Sequence, residues 1–401
     1  MLCSALLITI SALAASPVHQ AEIIFPHESW HNHSSSMVET PQGDFIAAWF
    51  HGSGERKEDD VVVMGSRLRK GESAWSEPFL MADSQDLPDC NPVLFMDPQG
   101  KLWLFWVAIQ NNEWGGALLK YRTSTDYQDD GAPKWEWQDV IHTRPKDLET
   151  IHPAFLEEAK IQFKEHLASN PQHAAMIEQL KAASQDKLTS RLGWMGRIPP
   201  IMISEKKMML GLYSDVFNCS IAAFTEDSGK TWSYSEPILE LGNIQPAFIQ
   251  RKDGSIICFM RDNGIPGKVK TARSDDGGVK WSKVGVSDIP NPGSSVAAYG
   301  LNSGSFILAA NDLRQGRHNL TLYLSDDEGK TWSIKRSLEA LPSGEGSAHY
   351  PNLIQFADGD IHCIYTFKIE SQGSTIKHAR FNEEWVREGE AISVKSNIPG
   401  E

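Results

Sequence analysis

An eight-residue motif that occurs three times at a regular interval constrains the fold of this chain more than any other feature. Each copy has the form S/T-x-D-x-G-x-x-W, and the copies end at Trp232, Trp281 and Trp332, about 50 residues apart. The Asp and Ser/Thr side chains of such a motif can bond backbone N–H groups within a turn, and the Gly supplies the positive φ that the turn requires. The Trp begins the next strand and packs between neighbouring sheets. Three such copies indicate a repeat architecture.

Further tryptophans extend the repeat to six units. Trp75, Trp135 and Trp385 continue the series, and the one overlong interval, between Trp135 and Trp232, contains an insertion. In the same register, pairs of apolar strands joined by hairpin turns recur, and such pairs suit inner strands that are buried on both faces. The pairs cover residues 37–50, 92–106, 200–213, 246–260, 296–310 and 351–367. Six four-stranded units predict an all-β fold, a six-bladed β-propeller over residues 22–401.

Residues 146–190 interrupt the repeat and have the pattern of two helices. Pro153 can open the first helix at its first turn, and Asn170-Pro171 provides a cap and a proline for the second. The apolar positions that would share one face are Phe155, Ala159, Phe163, Leu167, Ile177 and Leu180. The pattern predicts an inserted αα-hairpin, which is either a surface decoration or one wall of a binding cleft.

The first 15 residues have the features of a secretory signal peptide. Residues 5–13 are mostly apolar, and Ala12-Leu13-Ala14 has the small-x-small form of a cleavage site, although the first four residues contain no Lys or Arg. A buried first strand is the alternative. Because no other segment reaches the ~18 apolar residues of a membrane span, we expect a secreted or periplasmic protein without such a span.

The charge and the cysteines narrow the class of partner and cofactor. A net charge of −14 argues against a nucleic-acid partner, because an acidic protein repels polyphosphate. The cysteines that follow the predicted signal peptide have neither CxxC spacing nor a His at zinc-ligand distance. We therefore expect no metal site and no cofactor, and we expect buried free thiols at Cys90, Cys219, Cys258 and Cys363.

The repeated turn resembles the Asp-box of the sialidase (neuraminidase) superfamily. The chain also resembles bacterial BNR-repeat sialidase-like proteins along nearly its whole mature length. The matching segments are residues 33–39, 90–95, 244–246, 291–292, 350–351 and 376–378. The resemblance implies a six-bladed propeller with a glycan-directed site at one end of its axis. It leaves the activity open, since Asp-boxes also occur in lyases and in glycan-binding proteins.

One departure from the family concerns the first inner strand. Well-studied sialidases carry Phe/Tyr-Arg-Ile-Pro there, and the Arg binds the substrate carboxylate. This chain has His33-Ser34-Ser35-Ser36 on that strand, and Arg197-Ile198-Pro199 occurs in the third unit instead. Arg197 is therefore either a displaced equivalent or a coincidence.

Propeller geometry sorts the polar residues by face. The turns between inner strands and the Asp-boxes share the bottom face, so inner-strand starts and second-strand ends lie on the top face, around the axis. The strand starts place there His33, Asn91, Arg197, Gln245, Ser294 and Tyr350. The second-strand ends place there His51, Glu55, Arg56, Asp59, Asp60, Asp215, Arg261, Asp262, Asn311, Asp312, Arg314, Arg317 and Lys368.

Roles follow from the chemistry of these side chains. Guanidinium groups bind carboxylates through two parallel charge-assisted bonds, so the substrate-binding candidates are Arg56, Arg197, Arg261 and Arg317, together with Asn91 and Gln245. Acid and base work on a glycosidic bond needs carboxyl groups, and the candidates in one loop are Glu55, Asp59 and Asp60. Tyr350 is the candidate nucleophile, because sialidases use Tyr in place of a carboxylate. His33 is a candidate base or a hydrogen-bonded axial residue.

These assignments predict a sialidase-like exo-glycosidase that hydrolyses a terminal sialic acid or a related acidic sugar from an acidic glycan. Two alternatives stay open. One is a polysaccharide lyase acting on uronates, with His33 or Tyr350 as the base, and the other is a non-catalytic glycan-binding propeller. The sequence indicates no oligomeric state.

Overall fold

The repeated turns share one conformation, in which the Asp side chain closes the loop. In the first copy, Oδ1 of Asp227 accepts a hydrogen bond from the backbone N–H of Thr231 (2.9 Å), and the N–H of Gly229 donates to Oγ1 of Thr225 (2.8 Å). Gly229 has a φ of 85°. A Cβ at this glycine would also lie 2.9 Å from the ring of Trp103 in the neighbouring sheet. The turn therefore requires glycine for its backbone and for its packing.

Six antiparallel sheets follow one another along the chain and form the six blades of a β-propeller, as the repeat predicted. The computed structural model describes residues 16–401. Blade I consists of β2 (His31–Glu39), β3 (Phe45–Gly52), β4 (Val62–Leu68) and β5 (Phe79–Ala82). Blade II consists of β6 (Asp89–Met96), β7 (Leu102–Ile109), β8 (Ala117–Ser124) and β9 (Trp137–Val140). Blade III consists of β10 (Trp194–Gly196), β11 (Ile201–Met202), β12 (Met208–Ser214), β13 (Cys219–Thr225) and β14 (Ser233–Tyr234).

The remaining blades draw strands from both ends of the chain. Blade IV consists of β15 (Asn243–Gln250), β16 (Ile256–Asp262), β17 (Lys268–Ser274) and β18 (Gly285–Pro290). Blade V consists of β19 (Ala297–Gly300), β20 (Phe306–Ala310), β21 (Asn319–Ser325), β22 (Thr331–Ala340) and β26 (Glu390–Lys395). Blade VI consists of β23 (Gly346–Gln355), β24 (Ile361–Ile369), β25 (Gly373–Phe381) and β1 (His19–Ile23).

The way the ring closes differs from the prediction that Trp385 continues the series of blade tryptophans. The outermost strand of blade VI is β1, which pairs antiparallel with β25 from His19 opposite Phe381 onwards. The propeller therefore begins before residue 22. Trp385 does not start a blade strand, because the chain after β25 forms the helix α4 (Glu383–Arg387) and then adds β26 to blade V. Instead, the ring of Trp385 stacks on that of His19 at 4.1 Å.

The insertion is helical, with a first helix that begins earlier than predicted. Its helices are α1 (Leu148–Gln162), α2 (Lys164–Ser169) and α3 (Pro171–Gln185). Pro153 lies inside α1 and does not open it, since Asp147 is the residue that precedes the first turn. Asn170 and Pro171 begin the second arm as expected.

Only the root of this hairpin packs on the propeller. Leu148 belongs to the apolar cluster that contains Trp194 and Phe217, and the ring of His152 lies edge-on to Phe217 at 5.2 Å. At the tip, by contrast, the exposed fractions of three apolar side chains are 79% for Ile161, 38% for Phe163 and 49% for Met176. Within the predicted apolar stripe, Ala159 is buried and Phe163 is exposed, and the half-buried members are Phe155, Leu167, Ile177 and Leu180. The stripe is therefore only partly covered.

The inner strands supply the core. Every residue of β7 and of β12 is buried, as continuously apolar strands covered on both faces require. The expectation of buried free thiols is confirmed for all four cysteines that it named. No helix among residues 16–401 has the length and apolar character that crossing a membrane requires. The predicted signal peptide lies outside the described residues.

Candidate active site

A bulge at the start of the inner strand recurs in four blades and turns side chains toward the axis. The bulged residues Ser34, Asn91, Gln245 and Tyr350 all have left-handed backbone, with φ between 52° and 58°. At each one the strand pairing shifts register. Bulges re-aim side chains in this way next to functional sites. In blade III, Arg197 occupies the corresponding interruption between β10 and β11.

These bulges and the ends of the second strands enclose a cavity of about 450 Å³ at the top of the axis. Seven residues predicted for the site line it: His33, Glu55, Asn91, Gln245, Arg261, Arg317 and Tyr350. The other lining residues are His31, Asn32, Trp114, Tyr213, Asp215, Asn263, His349, Thr366, Lys368 and Ser374.

Tyr350 is the centre of a hydrogen-bonded group that crosses four blades. Its hydroxyl oxygen accepts a bond from Nη1 of Arg261 (2.8 Å) and one from Nε2 of Gln245 (3.3 Å). The same Gln245 nitrogen lies 3.3 Å from the hydroxyl of Tyr213, which also accepts a bond from Nδ2 of Asn91 (3.1 Å). Two side chains with left-handed backbone, Asn91 and Gln245, thus fix the positions of both tyrosine hydroxyls.

Two guanidinium groups face the cavity beside Tyr350. Arg261 is oriented by a second bond, from its Nη2 to Oδ1 of Asn263 (2.8 Å). The guanidinium carbon of Arg317 lies 5.5 Å from the centre of the Tyr350 ring, and its Nη2 donates to the carbonyl of Gly293 (2.8 Å). Both groups are therefore held in place before any anion binds, which suits them to bind a carboxylate.

Two carboxyl groups share the same cavity. Burial raises the pKa of Glu55, and the nearby carboxylate of Asp215 adds to this effect, while Arg56 opposes it. Burial also raises the pKa of Asp215, against the opposing charges of Arg261 and Arg56. A carboxyl group that keeps its proton to higher pH can deliver that proton to a leaving oxygen. Glu55 and Asp215 are the candidates for proton transfer here.

Four of the predicted site residues do not line the cavity. Asp60 accepts bonds from the backbone N–H (3.1 Å) and hydroxyl (2.9 Å) of Ser53, so it braces its own loop. Asp59 accepts a bond from Nδ2 of Asn112 (2.8 Å). Arg56 has its guanidinium carbon 5.2 Å from the indole centre of the lining residue Trp114, and its Nη1 lies 3.5 Å from Oε2 of Glu55.

Arg197, the fourth, lies beneath the cavity and is fully buried. Its guanidinium donates to the carbonyl oxygens of Ser35, Tyr350 and Pro351, and it lies 5.1 Å from the centre of the Tyr350 ring. Burial lowers its pKa to about 10. It cannot contact a ligand there, so its predicted role in substrate binding is replaced by one in holding the backbone of Tyr350.

Sequence reasoning missed several lining residues, for which different signals existed. Asp215 directly follows β12 and Lys368 lies near the end of β24, and the sorting by face had placed both on the top without giving either a role. His349 immediately precedes Tyr350, and Tyr213 ends an inner strand. Trp114 comes from a short 3₁₀ turn, for which the sequence pattern gave no indication.

The family comparison covers most of the chain. Residues 43–163 and 178–363 match the family described as BNR repeat-like domain. The gap between the two matched segments falls within the helical insertion. A sialidase from Micromonospora viridifaciens is 26% identical over 177 residues, which make up 42% of this chain and 26% of that protein. The match therefore spans about a quarter of the length of that relative.

Solved structures of low sequence identity share the fold. The NanB sialidase from Streptococcus pneumoniae superposes with a TM-score of 0.66 at 13% identity, covering 91% of this chain and 71% of that one. The leech intramolecular trans-sialidase superposes with a TM-score of 0.65 at 15% identity, covering 92% and 71%.

Proposed function

This chain belongs to the sialidase-like family described as BNR repeat-like domain, and we therefore propose that it is a glycoside hydrolase. The proposed reaction removes a terminal acidic sugar from a glycan. Sialic acid or a close relative is the proposed sugar. The observation that carries the proposal is the meeting of two guanidinium groups, a tyrosine hydroxyl and two carboxyl groups in one cavity. A cavity of this size takes a chain end, which supports exo action.

In this proposal the carboxylate of the sugar binds Arg261 and Arg317. Both guanidinium groups are already oriented by their bonds to Asn263 and Gly293, so little ordering is needed when the anion binds. Asn91 and Gln245 hold the two tyrosine hydroxyls and border the space that the sugar ring would occupy.

The proposed reaction has two displacement steps with Tyr350 as the nucleophile. The Tyr350 oxygen forms a bond to the anomeric carbon while the glycosidic C–O bond breaks. Glu55 gives its proton to the leaving oxygen, and Asp215 accepts the phenol proton. In the second step water attacks the anomeric carbon, Glu55 takes a proton from that water, and Asp215 returns the proton to the departing phenolate. Nη1 of Arg261, 2.8 Å from the hydroxyl oxygen, stabilises the negative charge on that oxygen in both steps.

A fluorogenic sialoside tests this proposal directly. We expect the purified protein to release free sialic acid, and proton NMR of the first product to show retention of anomeric configuration. Tyr350→Phe should lose turnover and keep the circular dichroism spectrum of the parent. An inverted first product, or full activity of Tyr350→Phe, would exclude Tyr350 as the nucleophile. Absence of any released sugar from a panel of acidic glycosides would refute hydrolysis.

A lyase is the second candidate, because a neutral imidazole lies against the tyrosine. The ring centres of His33 and Tyr350 are 4.1 Å apart, and burial lowers the pKa of His33 well below its ordinary value. Such a pair could abstract a proton next to a uronate carboxylate and protonate the leaving oxygen. A rise in the ultraviolet absorbance of an unsaturated uronate would identify this activity. Glycan binding with neither product would identify a binding propeller.

A further inference from the structure

Three histidines form one wall of the cavity, where blades VI and I meet. His31 and His33 lie on β2, and His349 lies on β23. The ring centres of His31 and His33 are 5.5 Å apart, and those of His33 and His349 are 5.0 Å apart. All three line the cavity, and we call them the histidine wall.

The histidine wall carries no charge at neutral pH. Burial lowers the pKa of His31, and it lowers the pKa of His33 and that of His349 well below the ordinary range. The permanent charges that act on these rings are cations, Arg197, Arg317 and Lys368, and each disfavours a further positive charge. A neutral imidazole presents one N–H donor and one nitrogen acceptor.

Most of the hydrogen-bonding capacity of this wall is unused within residues 16–401. Nδ1 of His33 bonds Oγ1 of Thr366 at 2.9 Å. Nε2 of His31 and Nδ1 of His349, by contrast, are hidden from solvent and have no partner in the described part of the chain. Polar groups in such positions are costly to leave unpaired. The other free ring nitrogens are Nδ1 of His31, Nε2 of His33 and Nε2 of His349. They bond no residue among 16–401 and are not among the solvent-hidden atoms, so a ligand in the cavity, or the water it displaces, can complete their bonding.

The kind of group that fits follows from this pattern. A carboxylate only accepts hydrogen bonds, so it can use the N–H of a neutral ring but leaves the acceptor nitrogen of that ring without a partner. A hydroxyl or an amide both donates and accepts, and therefore matches a neutral imidazole. The fixed guanidinium groups beside Tyr350, those of Arg261 and Arg317, match a carboxylate instead.

We propose that the histidine wall is a subsite for the uncharged hydroxyl or amide groups of the substrate sugar, while Arg261 and Arg317 hold its acidic group. This inference rests on the proposed function and deepens it. It makes His31, His33 and His349 the residues that select among the sugar acids that the cavity admits.

Binding of small ligands by calorimetry tests the proposal without requiring turnover. The probes are N-acetylneuraminate, its deoxy analogues, acetate as a carboxylate alone, and galactose as a neutral sugar. His349→Phe should weaken N-acetylneuraminate binding by up to about tenfold for each lost bond and should leave acetate binding unchanged. His349→Gln keeps a polar group near the position of Nε2 and should retain most of the affinity. His362→Phe removes a buried histidine of the same blade outside the cavity and is the matched control.

The outcomes separate the subsite from the reaction. One deoxy analogue should bind parent and His349→Phe equally well, because it lacks the hydroxyl that the ring contacts. If His349→Phe weakens acetate as much as N-acetylneuraminate, the wall binds the carboxylate and the inference is overturned. If no sugar acid binds the parent but galactose binds in a manner that depends on His349, the proposed function fails and the subsite stands. Independence of every probe from all three histidines refutes the subsite.

Discussion

The environment of one residue, Tyr350, explains much of what surrounds the cavity. A left-handed backbone is costly for a large side chain, and it persists only where the neighbouring structure enforces it. Arg197 supplies that enforcement, because it bonds the carbonyls of Tyr350 and Pro351 from below. A buried guanidinium in contact with these carbonyls therefore has a structural purpose. The strain is placed where the side chain must reach the axis.

We expect the loss of the Arg261 side chain to reduce kcat/KM for an acidic substrate more than the loss of any other side chain that binds it. Arg261→Ala removes a donor from both the carboxylate and the Tyr350 hydroxyl, and we expect kcat/KM to fall at least about 30-fold, the lower end of a ~2–5 kcal/mol penalty. Arg261→Lys should retain part of the activity, since it keeps the charge and loses the fork. Arg314→Ala, in an exposed part of the top face, is the control. Parent-like kinetics in Arg261→Ala would remove this residue from the site.

At the scale of the element, we expect a substitution in an Asp-box turn to lower the stability of the fold without changing catalytic activity. Oδ1 of Asp276 accepts bonds from the backbone N–H groups of Val279 and Lys280, each at 3.0 Å. Asp276→Ala leaves both donors to solvent, and we expect the free energy of unfolding to fall by ~1 kcal/mol, as for a lost helix cap. Denaturant titration measures the loss. A large fall in kcat/KM of the folded variant would show that the turn does more than hold the blade.

We expect the helical insertion to affect catalysis through its root, the part near Leu148 and His152 that packs on the propeller. The root packs on Phe217, two residues from Asp215, whereas Ile161 and Met176 at the tip are exposed and belong to none of the apolar clusters among residues 16–401. Replacing residues 161–177 with a short Gly/Ser loop should therefore leave kcat/KM within about twofold of the parent. Replacing all of 146–190 should leave the propeller folded and lower kcat on the order of tenfold, because the Asp215 loop loses its support. Equal kinetics of the parent and both variants would mean that the insertion is decoration.

The sequence predicted the elements whose cause is local and missed those whose cause is distant. Each Asp-box is determined within eight residues, so its position could be derived from spacing alone. The six recurring strand pairs gave the correct blade count, although Trp385 does not belong to the series. The bulge that turns Tyr350 inward, by contrast, depends on a hydrogen bond from Arg197 in blade III. Asp60 is held away from the cavity by its hydrogen bond to the hydroxyl of Ser53. Face assignment therefore identified the region of the cavity and two of the four arginines proposed for it, Arg261 and Arg317. It could not distinguish a lining carboxyl such as Glu55 from a bracing one such as Asp60.

At the scale of the whole molecule, the ring is closed by joining strands from opposite ends of the chain. β1 completes blade VI, so the first and last blades are held together by pairing as well as by packing. Glu22 of β1 adds side-chain bonds to this closure. Its Oε1 accepts a bond from Nε1 of Trp75 (3.0 Å), which lies between two strands of blade I, and it lies 3.2 Å from Nδ1 of His378 on β25. The carboxylate of Glu22 therefore contributes to the closure of the ring together with the pairing of β1.

This carboxylate should make ring closure sensitive to acid. The hydrogen bond to His378 lowers the pKa of Glu22 below its ordinary 4.5, and the bond from Trp75 acts in the same direction, while burial opposes both. A lowered carboxyl pKa stabilises the fold fully above the ordinary value, and that stabilisation is lost as the pH falls through the folded value. Glu22→Gln should therefore lower the Tm at about pH 7, and its Tm difference from the parent should be smaller at a pH below 4.5. Glu72→Gln, an exposed glutamate near the same strands, controls for net charge. A Tm difference between Glu22→Gln and parent that is equal at both pH values would show that the charge of Glu22 does not contribute to closure.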